Sequence, residues 1–137
     1  MNRARPAKLE PGIAGTFERV VSAEMTLTHA NPDWPAVFST PAMIAMMEMA
    51  CSDAVRGVVP PGLLTVGVRI EVDHVKALPA GEKVVASARL AEINGRRLTF
   101  EVSAQAGGEV LGRGRIFHAI VEHARFASRA AAKRTST

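Results

Sequence analysis

Residues 40–57 read TPAMIAMMEMACSDAVRG, and this stretch decides the fold. Thr40 is of a residue type that caps helix N-termini, and Pro41 suits the first helical position. Gly57 is a C-terminal stop signal, so the pattern predicts a helix from Pro41 to about Arg56. Apart from Glu48, its first ten helical positions carry almost no polar side chain. A helix that is apolar on every side is a buried helix, so the rest of the chain must cover it.

The segments around this helix predict strands. Alternation of apolar and polar residues is cleanest between positions 64 and 74, where one face is predicted to point inward. That face carries Leu64, Val66, Val68, Ile70, Val72 and His74. Further strands are predicted at residues 15–27, 83–93, 98–106 and 109–123, and a surface loop at residues 28–39.

A hairpin turn is predicted at Asn94-Gly95. A strict two-residue turn would mix the apolar and polar faces of its two strands. A shift of one residue places Leu90 opposite Phe100 and keeps both apolar faces together. We therefore expect a bulge or a three-residue loop at this hairpin.

One strand, one long helix and four further strands predict an α+β hot-dog fold, a five-stranded antiparallel sheet wrapped around one central helix. The length of 137 residues and an apolar share of 47% fit one domain. We expect this domain at residues 14–126, with a flexible N-terminal segment at 1–13 and a flexible basic tail at 127–137. A lone curled sheet leaves an open edge, which predicts a homodimer or larger homo-oligomer.

The composition restricts location and partners. A single Cys51 permits no disulfide within the chain, and neither a secretory signal nor a membrane-spanning stretch is present, so we expect a cytoplasmic protein without a membrane partner. The net charge of +4 suits a phosphate-bearing partner, a nucleic acid or the nucleotide end of coenzyme A, or equally a solvated basic surface. One Trp and no Tyr leave no stacking platform, so no nucleic acid is expected.

Three residues are candidates for chemistry. Glu48 in an apolar helix needs either a partner or a function, because an unpaired buried carboxylate costs several kcal/mol. Function, a rim position and a structural ion pair all account for it. His74 ends the inward face of its strand, where a structural and a catalytic histidine are both open. Thr40 is a cap or the hydroxyl of an oxyanion site at the helix start.

Other reactive residue types are weaker candidates. Cys51 on a buried helix is expected to be inert. His29, His118 and His123 lack the spacing of metal ligands, so no metal site is expected.

Several motifs together resemble the fluoroacetyl-CoA thioesterases and their relatives over roughly residues 14–126. These are Val37-Phe38-Ser39-Thr40-Pro41-Ala42-Met43, Met47-Glu48-Met49-Ala50-Cys51, Gly67, Val72-Asp73-His74 and Asn94-Gly95-Arg96-Arg97-Leu98. The resemblance implies that Thr40, Glu48 and His74 form the catalytic set. It also implies that Gly67 presents its backbone N–H to the thioester carbonyl. In the alignment with the fluoroacetyl enzyme, His118 stands where that enzyme has an active-site arginine. The lid segment before the helix, residues 28–39, is shorter than in that enzyme.

The resulting prediction is an enzyme that hydrolyses a small acyl-CoA thioester without a metal or other cofactor. Glu48 attacks the carbonyl or activates water, and Thr40 orients Glu48 or the water. His74 protonates the departing thiolate. The substrate-binding residues are expected to be Gly67, His118, Arg96 and Arg97. A hot-dog hydratase or dehydratase acting on an enoyl-CoA, and a non-catalytic module that binds acyl-CoA or nucleic acid, are the alternatives.

Overall fold

The computed structural model describes residues 8–135, so the extreme ends of the two segments predicted to be flexible lie outside it. The strands are β1 (Ala14–Val20), β2 (Leu63–His74), β3 (Lys83–Asn94), β4 (Arg97–Ala106) and β5 (Glu109–Glu122). The helices are α1 (Leu27–Ala30), α2 (Thr40–Val55) and α3 (His123–Thr135), with a short 3-10 turn at Ala23–Met25. The predicted strand at residues 15–27 is therefore too long.

The five strands form one antiparallel sheet in the order β1-β3-β4-β5-β2, and α2 packs against its concave face. Apolar side chains of α2 and of the inner sheet face make the core. Among its fully buried members are Met43, Met47, Ala50, Cys51, Leu90, Phe100 and Ile116. The predicted α+β architecture is confirmed.

The start of α2 differs from the prediction by one residue. Ser39, not Thr40, is the N-cap, and its hydroxyl accepts a hydrogen bond from the backbone N–H of Ala42 at 3.2 Å. Thr40 is the first helical residue and Pro41 the second. Because Ser39 satisfies the free N–H group, the hydroxyl of Thr40 is not needed for capping.

A bulge in β2 overturns the predicted inward face of that strand. The pairing with β5 shifts between Gly67 and Arg69, so Val68 is an extra residue. Before the bulge, Gly67 lies opposite the buried His118, and after it Ile70 lies opposite the buried Ile116. Residues 65 and 67 therefore face inward together with residues 70, 72 and 74, because one inserted residue reverses the alternation. The prediction that Leu64, Val66 and Val68 face inward is wrong.

The β3–β4 hairpin has the predicted pairing of Leu90 with Phe100. The shift that produces it lies between Leu90 and Glu92, inside β3. The turn itself keeps two residues, because Asn94 pairs with Arg97. The bulge expected at this hairpin is thus found a few residues before the loop.

Close packing of α2 on β1 depends on Gly15. A Cβ at this position would overlap the backbone of α2 at Ala50 and Ala54. Just before β1, the Gly12 N–H donates to the carbonyl of Leu90 at 2.8 Å and Ile13 is buried. Ordered packing therefore reaches into the N-terminal segment that was predicted to be flexible. At the other end of the chain, the residues of α3 up to position 132 are exposed.

Candidate active site

The centre of the site is a chain of three side chains from three elements. Nε2 of His118 on β5 lies 2.6 Å from Oε1 of Glu48 on α2. Nδ1 of the same ring lies 3.2 Å from the hydroxyl of Thr65 on β2. In the neutral imidazole, Nε2–H donates to the carboxylate and Nδ1 accepts from the hydroxyl. Glu48 is thus the carboxylate of a hydrogen-bonded pair, and its side chain stays 33% exposed while that of His118 is 4% exposed.

Gly67 lies directly beside the carboxylate. A Cβ added to this residue would come within 2.5 Å of Oε2 of Glu48. Only a glycine therefore leaves room for the carboxylate against the strand, and the adjacent bulge turns this glycine toward α2. The predicted site residues Glu48, Gly67 and His118 are brought together.

A second pair lies at the start of α2. The hydroxyl of Thr40 lies 2.8 Å from Nδ1 of His74, the last residue of β2. The ring of Phe38 packs edge-on against this imidazole, with 6.2 Å between the centroids. Nε2 of His74 is buried and has no hydrogen-bond partner among residues 8–135. The pair lines an open cleft together with Leu27, Val37 and Val75.

The Glu48–His118 pair and the Thr40–His74 pair do not meet within one chain. Thr40 and Glu48 are eight residues apart on a straight helix, which separates them by about 12 Å along the axis. Within the described part of the chain, Glu48 forms no hydrogen bond with Thr40 or His74. The predicted set of Thr40, Glu48 and His74 is therefore divided between two places on the surface of one subunit.

Cys51 completes the surroundings of Glu48. It is fully buried one helical turn further along α2. Burial, and secondarily the carboxylate of Glu48, raises the pKa of the Cys51 thiol far above its ordinary range. The thiol is therefore protonated and a poor nucleophile at neutral pH.

A basic groove lies beyond the end of the Glu48 pocket. Arg96 from the β3–β4 turn, together with Arg125 and Arg129 from α3, lines it. Ile120 and the half-exposed ring of Phe126 also line it, as does Glu122, whose carboxylate lies 3.9 Å from Arg125. Arg97, also predicted to bind substrate, belongs to β4 and is not among the residues that line this groove.

Two members of the site were missed at the level of sequence. Thr65 was assigned to the outer face of its strand, because nothing in the alternating pattern marks the bulge at Val68. Phe38 belongs to the segment before α2, where it follows Val37 and nothing in the sequence distinguishes the two apolar residues. The contact between Glu48 and His118 joins residues 70 positions apart and depends on the sheet register.

No helix in the described part of the chain is long and apolar enough to cross a membrane.

Known proteins resemble this chain in sequence and structure. Residues 21–124 match the family model FlK, fluoroacetyl-CoA-specific thioesterase. The fluoroacetyl-CoA thioesterase of Streptantibioticus cattleyicolor is 34% identical over 117 residues, which cover 81% of this chain and 84% of that protein. A solved structure of the fluoroacetyl-CoA thioesterase FlK superposes with a TM-score of 0.84 at 32% identity, covering 94% of this chain and 98% of that one. A Thermus thermophilus thioesterase superfamily member superposes with a TM-score of 0.83 at 26% identity, covering 97% of each chain.

Proposed function

Because this chain belongs to the fluoroacetyl-CoA-specific thioesterase family and is an acyl-CoA thioesterase with the hot-dog fold, we propose that it hydrolyses small acyl-CoA esters at Glu48. The observation that carries this assignment is the placement of the carboxylate. It is held by His118 at 2.6 Å, it lies against the backbone of Gly67, and it remains one-third exposed to an incoming substrate.

The chemistry needs an ionised carboxylate next to the carbonyl carbon. Glu48 either takes a proton from water, which then attacks, or attacks directly to form an acyl-enzyme that water cleaves. The Nε2–H of His118 orients the carboxylate, and the Gly67 backbone N–H is the proposed donor to the carbonyl oxygen. When the C–S bond breaks, the coenzyme A thiolate leaves and receives a proton. The proposed reaction uses only protein groups and water.

We further propose that the enzyme is a homodimer joined through β2. This strand is an edge of the sheet, and its Val68 and Ile70 are 48% and 49% exposed. Met49 on α2 is also 48% exposed. An open edge carrying aliphatic side chains suits pairing with the same edge of a second copy, which would satisfy the free backbone groups of both strands.

Such pairing would unite the two halves of the site. In an antiparallel β2–β2 pair with its two-fold axis at Glu71 and the bulged Val68 left out of the pairing, Gly67 lies opposite His74 of the partner subunit. The Glu48 carboxylate of one chain would then face the Thr40–His74 pair of the other chain. The imidazole of His74, held by the hydroxyl of Thr40, is the proposed source of the proton for the leaving thiolate.

The basic groove is the proposed site for the nucleotide end of coenzyme A. Ile120 lies two residues after His118 on β5, so the groove begins about 7 Å from the carboxylate pocket. The extended pantetheine arm spans such a distance. Arginines suit the phosphates, and the Phe126 ring offers a face to the adenine.

A cytoplasmic location, where coenzyme A esters are available, agrees with the lone buried Cys51.

A panel of acyl-CoA esters with a thiol-detecting reagent tests the activity. We expect thiol release from acetyl-, propionyl- and fluoroacetyl-CoA, with acetyl- and fluoroacetyl-CoA within about tenfold in kcat/KM because the lid segment is short. Hydration of crotonyl-CoA without thiol release would contradict hydrolysis. A preference for fluoroacetyl-CoA of several orders of magnitude would contradict the short-lid argument.

Subunit mixing tests the shared site. Glu48→Gln and His74→Ala chains are each expected to be nearly inactive. Exchange between them should restore about a quarter of wild-type turnover, because half of the dimers are mixed and each mixed dimer contains one intact site. A site confined to one chain predicts no recovery. Mixing Glu48→Gln with Thr40→Val should give the same recovery, whereas Glu48→Gln with His118→Gln should give none.

A further inference from the structure

The Glu48 pocket contains donor atoms for a metal ion. A carboxylate oxygen of Glu48, Sγ of Cys51 and a ring nitrogen of His118 all lie within 4.8 Å of one another. We propose that these three side chains bind one zinc-type divalent transition-metal ion and that the ion reversibly inhibits the enzyme by occupying Glu48. The metal site itself is independent of the proposed function, and only the inhibition rests on it.

The donors are carried by rigid elements. Glu48 and Cys51 are three residues apart on α2 and so share one face of the helix, while His118 projects from β5 toward them. Bond lengths to zinc of about 2.0–2.3 Å place ligand atoms roughly 3–4 Å apart. His118 and Glu48 now lie 2.6 Å apart, so a small rotation of the carboxylate admits the ion between them.

The hydroxyl of Thr65 supports the ligand role of His118. With Nε2 bound to metal, the ring proton moves to Nδ1, which lies 3.2 Å from this hydroxyl and can donate to it. A hydrogen bond from the second ring nitrogen is the usual support of a ligating histidine. Because a hydroxyl both donates and accepts, Thr65 serves the metal-free and the metal-bound ring equally.

The donor set selects the type of metal. On binding, the Cys51 thiol loses its proton to solvent and forms a metal–thiolate bond. Thiolate and imidazole favour Zn²⁺ and Co²⁺ over Mg²⁺ and Ca²⁺. Three protein ligands leave a fourth position for water or for the thiol of coenzyme A.

Cobalt is the probe for the metal site. Metal-free wild-type protein titrated with Co²⁺ should develop a thiolate-to-cobalt charge-transfer band that saturates at one ion per chain and is displaced by Zn²⁺. Cys51→Ala should lose the band and weaken Zn²⁺ binding, measured with a chromogenic chelator, by at least about tenfold. His29→Gln removes a histidine of α1, outside the pocket, and should leave the band and the affinity unchanged.

One further variant and an inhibition measurement keep the test decisive. Thr65→Val should weaken Zn²⁺ binding by about tenfold, the scale of a lost supporting hydrogen bond, with the band retained. Zn²⁺ should inhibit thiol release by wild type at lower concentration than by Cys51→Ala, each compared with its own metal-free rate. A cobalt spectrum without thiolate character, or equal Zn²⁺ affinity of wild type and Cys51→Ala, overturns the proposal. Neither measurement of binding depends on turnover, so an inactive thioesterase would not be mistaken for an absent metal site.

Discussion

Nε2 of His118 lies 2.6 Å from Oε1 of Glu48, so this carboxylate is oriented by a side chain from the last strand of the sheet. The same ring contacts the hydroxyl of Thr65 on the neighbouring strand. Since the hydrogen bond to this hydroxyl holds the orientation of the imidazole ring, Thr65 acts on Glu48 through His118. It is a positioning residue that touches no reacting atom.

Replacing Thr65 tests this relay. Thr65→Val keeps the shape of the side chain and removes the hydroxyl, so we expect kcat to fall by about tenfold, the scale of one lost hydrogen bond, with KM unchanged. Thr65→Ser should restore kcat because it restores the hydroxyl. Thr99→Val, on β4, is the matched control. A parallel loss of melting temperature and activity in Thr65→Val, without rescue by serine, would instead assign Thr65 a structural role.

The buried thiol of Cys51 predicts a pH dependence of stability. Burial, and secondarily the carboxylate of Glu48, raises the pKa of this thiol above its ordinary value, so the folded chain holds the proton more tightly than the unfolded chain. The contribution to stability is fully present below the unfolded pKa and is lost as the pH rises above it. In buffer with a chelator, the melting temperature of wild type should fall more steeply from about pH 8 to about pH 10 than that of Cys51→Ala. Parallel curves would contradict the pKa shift.

The central helix and the succession of strands along the chain could be predicted from sequence because each depends on local pattern. An apolar run that begins after Ser39-Thr40-Pro41 and ends before a glycine specifies a buried helix regardless of its surroundings. The alternation in β2 misled, since the bulge at Val68 reverses which side chains before it face inward. Gly67 inside the strand is the one local feature that goes with the bulge. The pairing of Glu48 with His118 was equally out of reach, because it follows from the register of β5 against β2.

The basic groove predicts which part of the substrate the arginines recognise. Arg96→Gln and Arg129→Gln should each raise KM for an acyl-CoA by about tenfold, the scale of one exposed charge-assisted contact. The same variants should hydrolyse the matching acyl-N-acetylcysteamine thioester normally, because that substrate lacks the nucleotide. Arg19→Gln, on β1, is the control for lost charge. An equal effect on both substrates would remove the groove from nucleotide binding.

The exposed edge of β2 predicts how the oligomer is broken. Ile70→Glu places a charge beside the proposed two-fold axis and should convert a dimer into a monomer in light scattering, with turnover lost in parallel. Val20→Glu introduces the same charge at a residue that is 58% exposed on β1, the opposite edge of the sheet, and should leave the dimer intact. A wild-type chain that is monomeric at micromolar concentration, or a monomeric Ile70→Glu that keeps full activity, would contradict the shared site.

The role of Glu48 itself is tested by Glu48→Gln, which keeps the side-chain volume and an oxygen that accepts from His118 while it removes the charge. If Glu48 is the nucleophile or general base, kcat should fall by about a hundredfold or more. Because the native carboxylate is one-third exposed and keeps its hydrogen bond as an amide, the melting temperature should change little. Glu18→Gln, on β1, controls for the loss of one negative charge.

The alternative role of Glu48 is a structural ion pair with His118, and it predicts the opposite result. Breaking such a pair would lower the melting temperature, and activity would fall only as the fold is lost. For the catalytic role, His74→Ala should resemble Glu48→Gln in both measurements. The double variant should then be scarcely slower than either single one, because residues that act as a unit are not additive. A folded Glu48→Gln enzyme with near wild-type thiol release would remove Glu48 from the reaction and leave Thr40 with His74 as the reactive pair.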